Sequence, residues 1–263
     1  MSDSSQKLAP KLAVVTGASS GIGLELARIA AKEGYRLVIA ADEPEIQNAA
    51  SELGNGTEAV QADLGSMEGV DKLLEQVGGR PIDVLCANAG RGLGHAFVDQ
   101  EWQEIRRVIA TNVFGTTYLL HRVLKSMKAR NSGRVLITGS IAGLMPGTYQ
   151  AVYNATKAYD DSLADALRAE LKDTGVTVAC LMPGATETEF FERAGMMDTS
   201  VGTAKKDDAA MVAKVGWDAM MDDSGHVVSG WKNKIQAAIA HVAPAPVLAK
   251  RHEQMAKPGT AGS

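Results

Sequence analysis

A doubly wound α/β fold, one parallel sheet with helices on both faces, is what the sequence predicts, and three observations predict it. Short runs rich in Val, Ile and Leu recur along the chain, near-continuously apolar rather than alternating, as strands buried on both faces require. The segments between the runs are long enough for crossover helices. Strand and helix alternate at least six times, an order that builds an open parallel sheet rather than a barrel or a bundle.

The first run, KLAVVTG at 11–17, is followed by GIGLELARIAAKEG, whose apolar residues at 22, 26, 29 and 30 share one helical face and whose end at Gly34 suits a C-cap. Further strands are expected at 35–41 (YRLVIAA), 58–63 (EAVQAD) and 82–90 (IDVLCANAG). Residues 101–130 form a long amphipathic stretch, and strands follow at 133–140 (GRVLITGS) and 176–184 (VTVACLMPG). Between these two strands, AVYNATKAYDD at 151–161 opens another helix. The alternation breaks at 187–208, ETEFFERAGMMDTSVGTAKKDD, a long insertion after a strand end, where lids and substrate pockets are built on open sheets. Beyond Trp231, Ile235, Ile239 and Val242 fall on one helical stripe that could cover the active site, pack on another subunit or lie on a membrane surface; Pro244 and Pro246 cut it short, which favours packing. The expected organisation is a flexible N-terminus at 1–10, one domain at 11–231, and a C-terminal helical extension with a frayed tail at 232–263.

Composition narrows the function. At 263 residues the chain is in the range where one α/β domain with a single large core is common. A net charge of -4 provides no basic field for phosphate backbones, so nucleic acid is not expected as a partner. No apolar segment approaches the ~20 residues that span a bilayer, and MSDSSQKLAPK has no apolar core of a secretion signal. Cys86 and Cys180 sit in strand-like runs, which argues for a reducing, cytoplasmic setting rather than a disulfide scaffold. No metal site is assigned.

TGASSGIGLELA lies between the first strand and the first helix. A turn that brings backbone against a pyrophosphate needs residues without a Cβ, here Gly17, Gly21 and Gly23 with Ser19, Ser20 and Ile22 between them, and the free N–H groups of the helix end then hold the anion. A Walker loop would demand Gly-Lys followed by Ser or Thr, which is absent, so triphosphate hydrolysis is disfavoured. Asp42, closing the second strand, is placed to accept hydrogen bonds from an adenosine ribose and to repel a 2′-phosphate. NAD is therefore preferred, with NADP possible. The competing reading has Asp42 only starting a turn before Pro44.

With these motifs in place, the chain resembles the short-chain dehydrogenase/reductase family, of the compact type with a single Rossmann domain. TGASSGIG at 16–23, ANAG at 87–90, TNVFG at 111–115, ITGSIAG at 137–143, YNATK at 153–157 and PGATET at 183–188 carry the resemblance, in the family's order. It extends to GHVVSGW at 225–231, where the family's last strand would be. The resemblance implies that Asn112, Ser140, Tyr153 and Lys157 match the family's catalytic tetrad. The chemistry agrees: a phenol with a pKa near ~10 is a poor base unless a cation favours its phenolate, and Lys157 lies one helical turn after Tyr153. Tyr149 and Tyr159 have a tyrosine and a leucine at that spacing; Tyr149 is read as a pocket wall, Tyr159 as packing, and Asp160 and Asp161 as solvated helix surface. Ser140, at a strand end, would bind the reacting oxygen, and Asn112, unfavourable inside a helix, would distort it around a proton relay to Lys157.

The resemblance further implies that Asp63, with Leu64, meets the adenine and that Asn88, Ala89 and Gly90 line the cofactor and brace the sheet. Ala87 stands where the family usually has asparagine. Tyr153 and Lys157 also touch the cofactor, Pro183 and Gly184 turn the chain below the nicotinamide, and Thr186 and Thr188 bond its carboxamide. Thr186 replaces a usually apolar residue, so its contact would be through backbone. The implied activity is hydride transfer between a nicotinamide and a small-molecule alcohol or ketone, with pocket walls from 91–98, 141–150 and 187–207. The implied assembly is a homodimer or homotetramer through the long helices. The alternative is a cofactor-sensing Rossmann regulator without turnover.

Overall fold

The computed structural model describes residues 10–262; what was expected of residues 1–9 and 263 lies outside the described residues. The elements follow in the order β1 (Leu12–Thr16), α1 (Gly21–Lys32), β2 (Arg36–Ala41), α2 (Ile46–Leu53), β3 (Glu58–Gln61), α3 (Met67–Val77) and β4 (Val84–Ala87). Next come α4 (Trp102–Ile109), α5 (Thr116–Ala129), β5 (Gly133–Thr138), α6 (Ala151–Leu171) and β6 (Val176–Met182). The C-terminal part holds α7 (Phe190–Arg193), α8 (Ser200–Thr203), α9 (Ala209–Met221), β7 (His226–Val228), α10 (Trp231–Val242) and α11 (Ala245–Ala256). The expected strands are all present, each trimmed by one to three residues at one or both ends; at the carboxyl ends the trimmed residues, among them Gly17, Asn88, Ser140 and Gly184, enter the loops that form the site.

The strands form a seven-stranded sheet in the order β3-β2-β1-β4-β5-β6-β7, every pairing parallel. Winding reverses between β1 and β4, so the loops leaving their carboxyl ends diverge and open a crevice there. The near-continuous apolarity of the strands has its physical reason in the two cores. Val14, Val38, Leu85 and Val135 point to the layer containing Leu73, Leu119, Leu120 and Ala164, from α3, α5 and α6. Their neighbours Val15, Ile39, Cys86 and Leu136 point to the layer containing Leu26, Ala30, Trp217 and Met220, from α1 and α9. At α1 the left-handed Gly34 (φ 84°) follows the last turn, as the sequence predicts for a C-cap.

One reading is corrected. Asp160 and Asp161 are buried rather than solvated, on the side of α6 that faces the sheet. The stripe Ile235, Ile239 and Val242 is exposed on the single chain, while α10 buries its small residues Ala237 and Ala240. Among the described residues no helix is long and apolar enough to cross a membrane.

Candidate active site

At the carboxyl ends of β1, β4, β5 and β6 lies a cavity of about 540 Å³. Its lining includes residues from each of the six motifs between 16 and 188 that carry the resemblance, though not Gly23 or Asn112 themselves, and none from GHVVSGW at 225–231. Gly17 and Gly21 carry positive φ (64° and 55°), a region that favours glycine. A Cβ on Gly23 would lie 2.1 Å from the Gly17 carbonyl oxygen, and one on Gly21 would lie 2.7 Å from Thr188 Cγ2. The loop therefore closes only with glycines, and Thr188 sits directly over it. Ser20 precedes α1 in extended conformation without a side-chain cap, while the Ser19 hydroxyl donates to Glu43 Oε2 at 2.6 Å. Ser19, Ser20 and Ile22 all line the cavity.

Asn88 ties three strand ends together. Its amide donates to the carbonyls of Thr16 and Gly17 at 3.1 and 3.3 Å, and its Oδ1 accepts from Thr138 Oγ1 at 3.0 Å. The N–H groups of Asn88 and Ala89 both donate to Thr16 Oγ1 at 3.0 Å. Asp63 accepts the Gly65 N–H at 2.9 Å and, with Leu64, lines the same side of the cavity as Asp42. Asp42 accepts from the Arg91 guanidinium, a pairing across 49 residues for which the sequence offers no local signal.

Asn112 is fully buried inside a π-helical segment, Ala110–Gly115, that joins α4 to α5. The widened turn is the distortion expected of it. Its Oδ1 accepts the Arg91 N–H at 2.8 Å, and its Nδ2 donates to the Arg91 carbonyl and to Thr156 Oγ1, both at 2.9 Å. Every position of this side chain is thus fixed by two other elements. A Cβ on Gly90 would lie 3.5 Å from both Asn112 Oδ1 and Lys157 Nζ, so Gly90 forms the wall between them.

Ser140 follows β5. Its hydroxyl donates to the Pro183 carbonyl at 3.3 Å and accepts the Ala142 N–H at 3.1 Å, and its own N–H donates to Asp161 Oδ1 at 3.3 Å. Tyr153, on the first turn of α6, stacks at a tilt on Phe190 with ring centroids 5.0 Å apart. Burial pushes the phenol pKa up; the Lys157 ammonium and the Ser140 hydroxyl pull it back, and Asp160 and Asp161 push it up further. Lys157 Nζ donates to the Thr138 carbonyl at 2.7 Å and to Asp160 Oδ2 at 3.1 Å. Burial works against its charge, but Asp160, Tyr153 and Asp161 outweigh that and hold its pKa above the usual lysine value. Pro183, Gly184, Thr186 and Thr188 border the cavity from the β6 side. There Thr186 Oγ1 donates to the Gly184 carbonyl at 3.1 Å, leaving its side chain occupied within the turn.

The insertion and the C-terminal helices supply the far wall. Phe190 and Phe191 of α7, Val201 of α8, Gln236 of α10, and His252 and Met255 of α11 line the cavity. Tyr149, expected in the wall, is not among the lining residues; it packs against the cluster of Phe191, Ala194, Met196 and Ala256, on a left-handed backbone (φ 66°). His252, which the sequence did not single out, is held by Thr148, whose carbonyl lies 2.8 Å from Nδ1; burial lowers its pKa and keeps the ring neutral.

A seven-stranded parallel sheet with a glycine-walled crevice at its winding reversal is the architecture of a nucleotide-binding α/β protein. The short chain dehydrogenase family model matches residues 11–198, and the chain belongs to that family. An uncharacterized oxidoreductase of Staphylococcus epidermidis is 31% identical over 210 residues, 79% of this chain and 89% of that protein. A Sphingobium yanoikuyae short-chain dehydrogenase solved in complex with NADPH aligns with a TM-score of 0.78 and 26% identity, over 89% of this chain and 97% of that one. A Brucella melitensis 3-ketoacyl-(acyl-carrier-protein) reductase complexed with NADH aligns with a TM-score of 0.74 and 26% identity, over 84% of this chain and 97% of that one.

Proposed function

We propose that the protein oxidises a secondary alcohol or reduces the matching ketone with a nicotinamide cofactor, in a reducing cytoplasmic setting. The observation that carries this reading is the convergence of Ser140, Tyr153 and Lys157 on one cavity with the glycine loop. The cradle fits a dinucleotide: Gly17, Gly21 and Gly23 leave the loop free of side chains beside the α1 N-terminus, and Asp63 with Leu64 and Asn88 to Gly90 line the adjoining crevice. A bound nicotinamide supplies the hydride acceptor for oxidation and the donor for reduction.

The chain's own residues handle the proton and the orientation. The Ser140 hydroxyl donates to the substrate oxygen. Tyr153 takes the alcohol proton in oxidation and returns one to the oxygen in reduction. Lys157 favours the phenolate by its charge and reaches the cofactor ribose, while Asn112 fixes the backbone of Arg91 and anchors the proton relay to Lys157. Thr188, poised over Gly21, and the Pro183–Thr186 turn orient the carboxamide. The walls are mostly apolar, with Phe190, Phe191, Val201 and Met255, which suits a substrate with a hydrocarbon body.

Asp42 and the neighbouring Glu43 line the crevice. Each is paired with an arginine that also lines the crevice, Asp42 with Arg91 and Glu43 with Arg193, so the case for NAD rests on Asp42 standing at the end of β2, where it can accept from the ribose hydroxyls in place of Arg91. Assays of NADH and NADPH against a panel of ketones, and of NAD and NADP against the matching alcohols, test both points. The expected result is turnover with kcat/KM at least about tenfold higher for NADH, a difference of about 1.4 kcal/mol. Asp42→Ala is expected to erase the preference; equal use of both cofactors by the unaltered protein would remove this role of Asp42.

The chain is proposed to act as a homodimer or homotetramer. Phe97, Ile109, Val113, Val152 and Tyr159 line an apolar groove between the α4–α5 region and the start of α6. Such a face suits a second copy of the same helices.

A further inference from the structure

Beneath the cavity floor two carboxylates are packed where a helix meets a sheet. The side chains of Lys157 and Asp160 are 6% and 2% exposed, and Asp160 Oδ2 lies 3.1 Å from the lysine nitrogen. Asp160 Oδ1 is buried without a hydrogen-bond partner among the described residues. A carboxylate in that position loses its hydration and regains only what the ammonium returns. Among the described residues the single polar partner of its side chain is Lys157, so Asp160 acts through the lysine.

The geometry also shows what remains for Lys157 to offer. An ammonium has three donors. One is spent on the Thr138 carbonyl, two residues before Ser140, and one on Asp160. The head is clamped between α6 and β5, with a single donor left for the cavity side, where Tyr153 and Gly90 lie.

We propose that Asp160 is a positioning residue of this site: it holds the Lys157 ammonium in place and offsets its charge, and so sets the pH range in which Tyr153 exchanges its proton. The inference rests on the reading of Tyr153 as the proton carrier. Asp160 itself exchanges no proton in the reaction.

The groups that face the phenol and the ammonium fix the sign. From α6 these are Lys157, Asp160 and Asp161; from the end of β5, the Ser140 hydroxyl and the Thr138 carbonyl; from β6, the Cys180 thiol, which burial and the Asp161 carboxylate hold in its neutral form. Phe190, above the ring, carries no charge. Lys157 is the one cation of the set, and Asp160 is the anion in contact with it. Removing the Asp160 charge leaves the ammonium uncompensated, which favours the phenolate and lowers the pH at which Tyr153 loses its proton.

Asp160→Asn keeps the shape and removes the charge. The acid limb of kcat/KM for alcohol oxidation is expected to move to lower pH by about one unit, and Asp160→Glu, which restores the charge, to keep the limb of the unaltered protein. A limb that stays in place in Asp160→Asn, or moves to higher pH, overturns the proposal, even if kcat or the melting temperature falls, because those losses are all that a purely structural aspartate predicts. If Asp160→Asn does not fold, Asp160→Ser takes its place with the same expected shift. A second readout needs no turnover: the ultraviolet titration of each protein minus that of its Tyr153→Phe counterpart isolates the Tyr153 phenol. Its midpoint is expected to fall in Asp160→Asn, and an unchanged midpoint overturns the proposal. Absence of turnover in the unaltered protein would end the dehydrogenase reading but leave this titration to decide on Asp160.

Discussion

Tyr153→Phe is expected to lower kcat by about 10²- to 10⁴-fold, the range that a positioned general acid or base contributes, and to change NADH affinity far less, since the hydroxyl is only one of the cofactor contacts the resemblance implies. The substitution removes one oxygen and keeps the ring, so the contact with Phe190 at 5.0 Å and the burial of the α6 first turn persist. In free energy the loss is about 3 to 5 kcal/mol at the transition state. Titration of protein against NADH fluorescence, run beside the rate assay, separates the two effects. A cofactor-sensing regulator would bind NADH and show no rate to lose, and an oxidation rate unchanged by Tyr153→Phe would take the proton-carrier role from this residue. The substitution is also informative about Ser140, whose hydroxyl already has the Pro183 carbonyl and the Ala142 N–H as partners. With Tyr153 gone, Ser140 alone can still hold a substrate oxygen but has no route for the proton, so KM is expected to change less than kcat.

The fold was legible because its causes are local and repetitive. Val14 and Val15, or Val38 and Ile39, face opposite layers, and a strand with both faces covered must be apolar at successive positions. The glycine loop was legible for a related reason: a Cβ at Gly23 would overlap backbone, so the residue types record the geometry. Contacts across long stretches of chain left no such trace. Nothing near Asp42 announces Arg91, and nothing near Thr148 announces that His252 closes the far wall. The misreading of Asp160 and Asp161 has another cause. Residues 153, 157, 160, 161 and 164 follow the helical spacing of an inward stripe, and Tyr153, Lys157 and Ala164 are all buried. The spacing was present in the sequence; the polarity of aspartate hid it, since a buried carboxylate is the exception unless a partner such as Lys157 shares its face. Tyr149 packs outside the lining on a left-handed backbone, a conformation that its residue type rarely adopts and that no neighbouring residue announces.

Asp161 gives the fold a pH dependence of definite sign. Its Oδ1 accepts the Ser140 N–H and, at 3.6 Å, the Cys180 thiol, while Oδ2 is buried without a partner among the described residues. The carboxyl fits only because residues 139 and 143 are glycines: Cβ atoms there would lie 1.9 Å from Oδ1 and 2.3 Å from Oδ2. Burial raises its pKa from 3.8 to about 7, against the opposing pull of Lys157 and the Ser140 N–H. A raised folded-state pKa means that the folded protein binds the proton more tightly than the unfolded chain. The contribution to stability is then fully present below about pH 4 and is lost as pH rises through about 7. The full span corresponds to about 4 kcal/mol, an upper figure for one group. Asp161→Asn keeps an oxygen to accept the Ser140 N–H and has no charge to bury. Urea unfolding at about pH 5 and about pH 8 is therefore expected to show the variant gaining a few kcal/mol on the unaltered protein between the two conditions. Asp160, whose pKa burial also raises against the pull of Lys157, adjoins Asp161 and shares Lys157 with it, so the same comparison in an Asp160→Asn background isolates the Asp161 contribution. An equal pH dependence in the two proteins would mean that Asp161 keeps its ordinary pKa despite its burial, and that the Lys157 ammonium alone stabilises both carboxylates in their charged form.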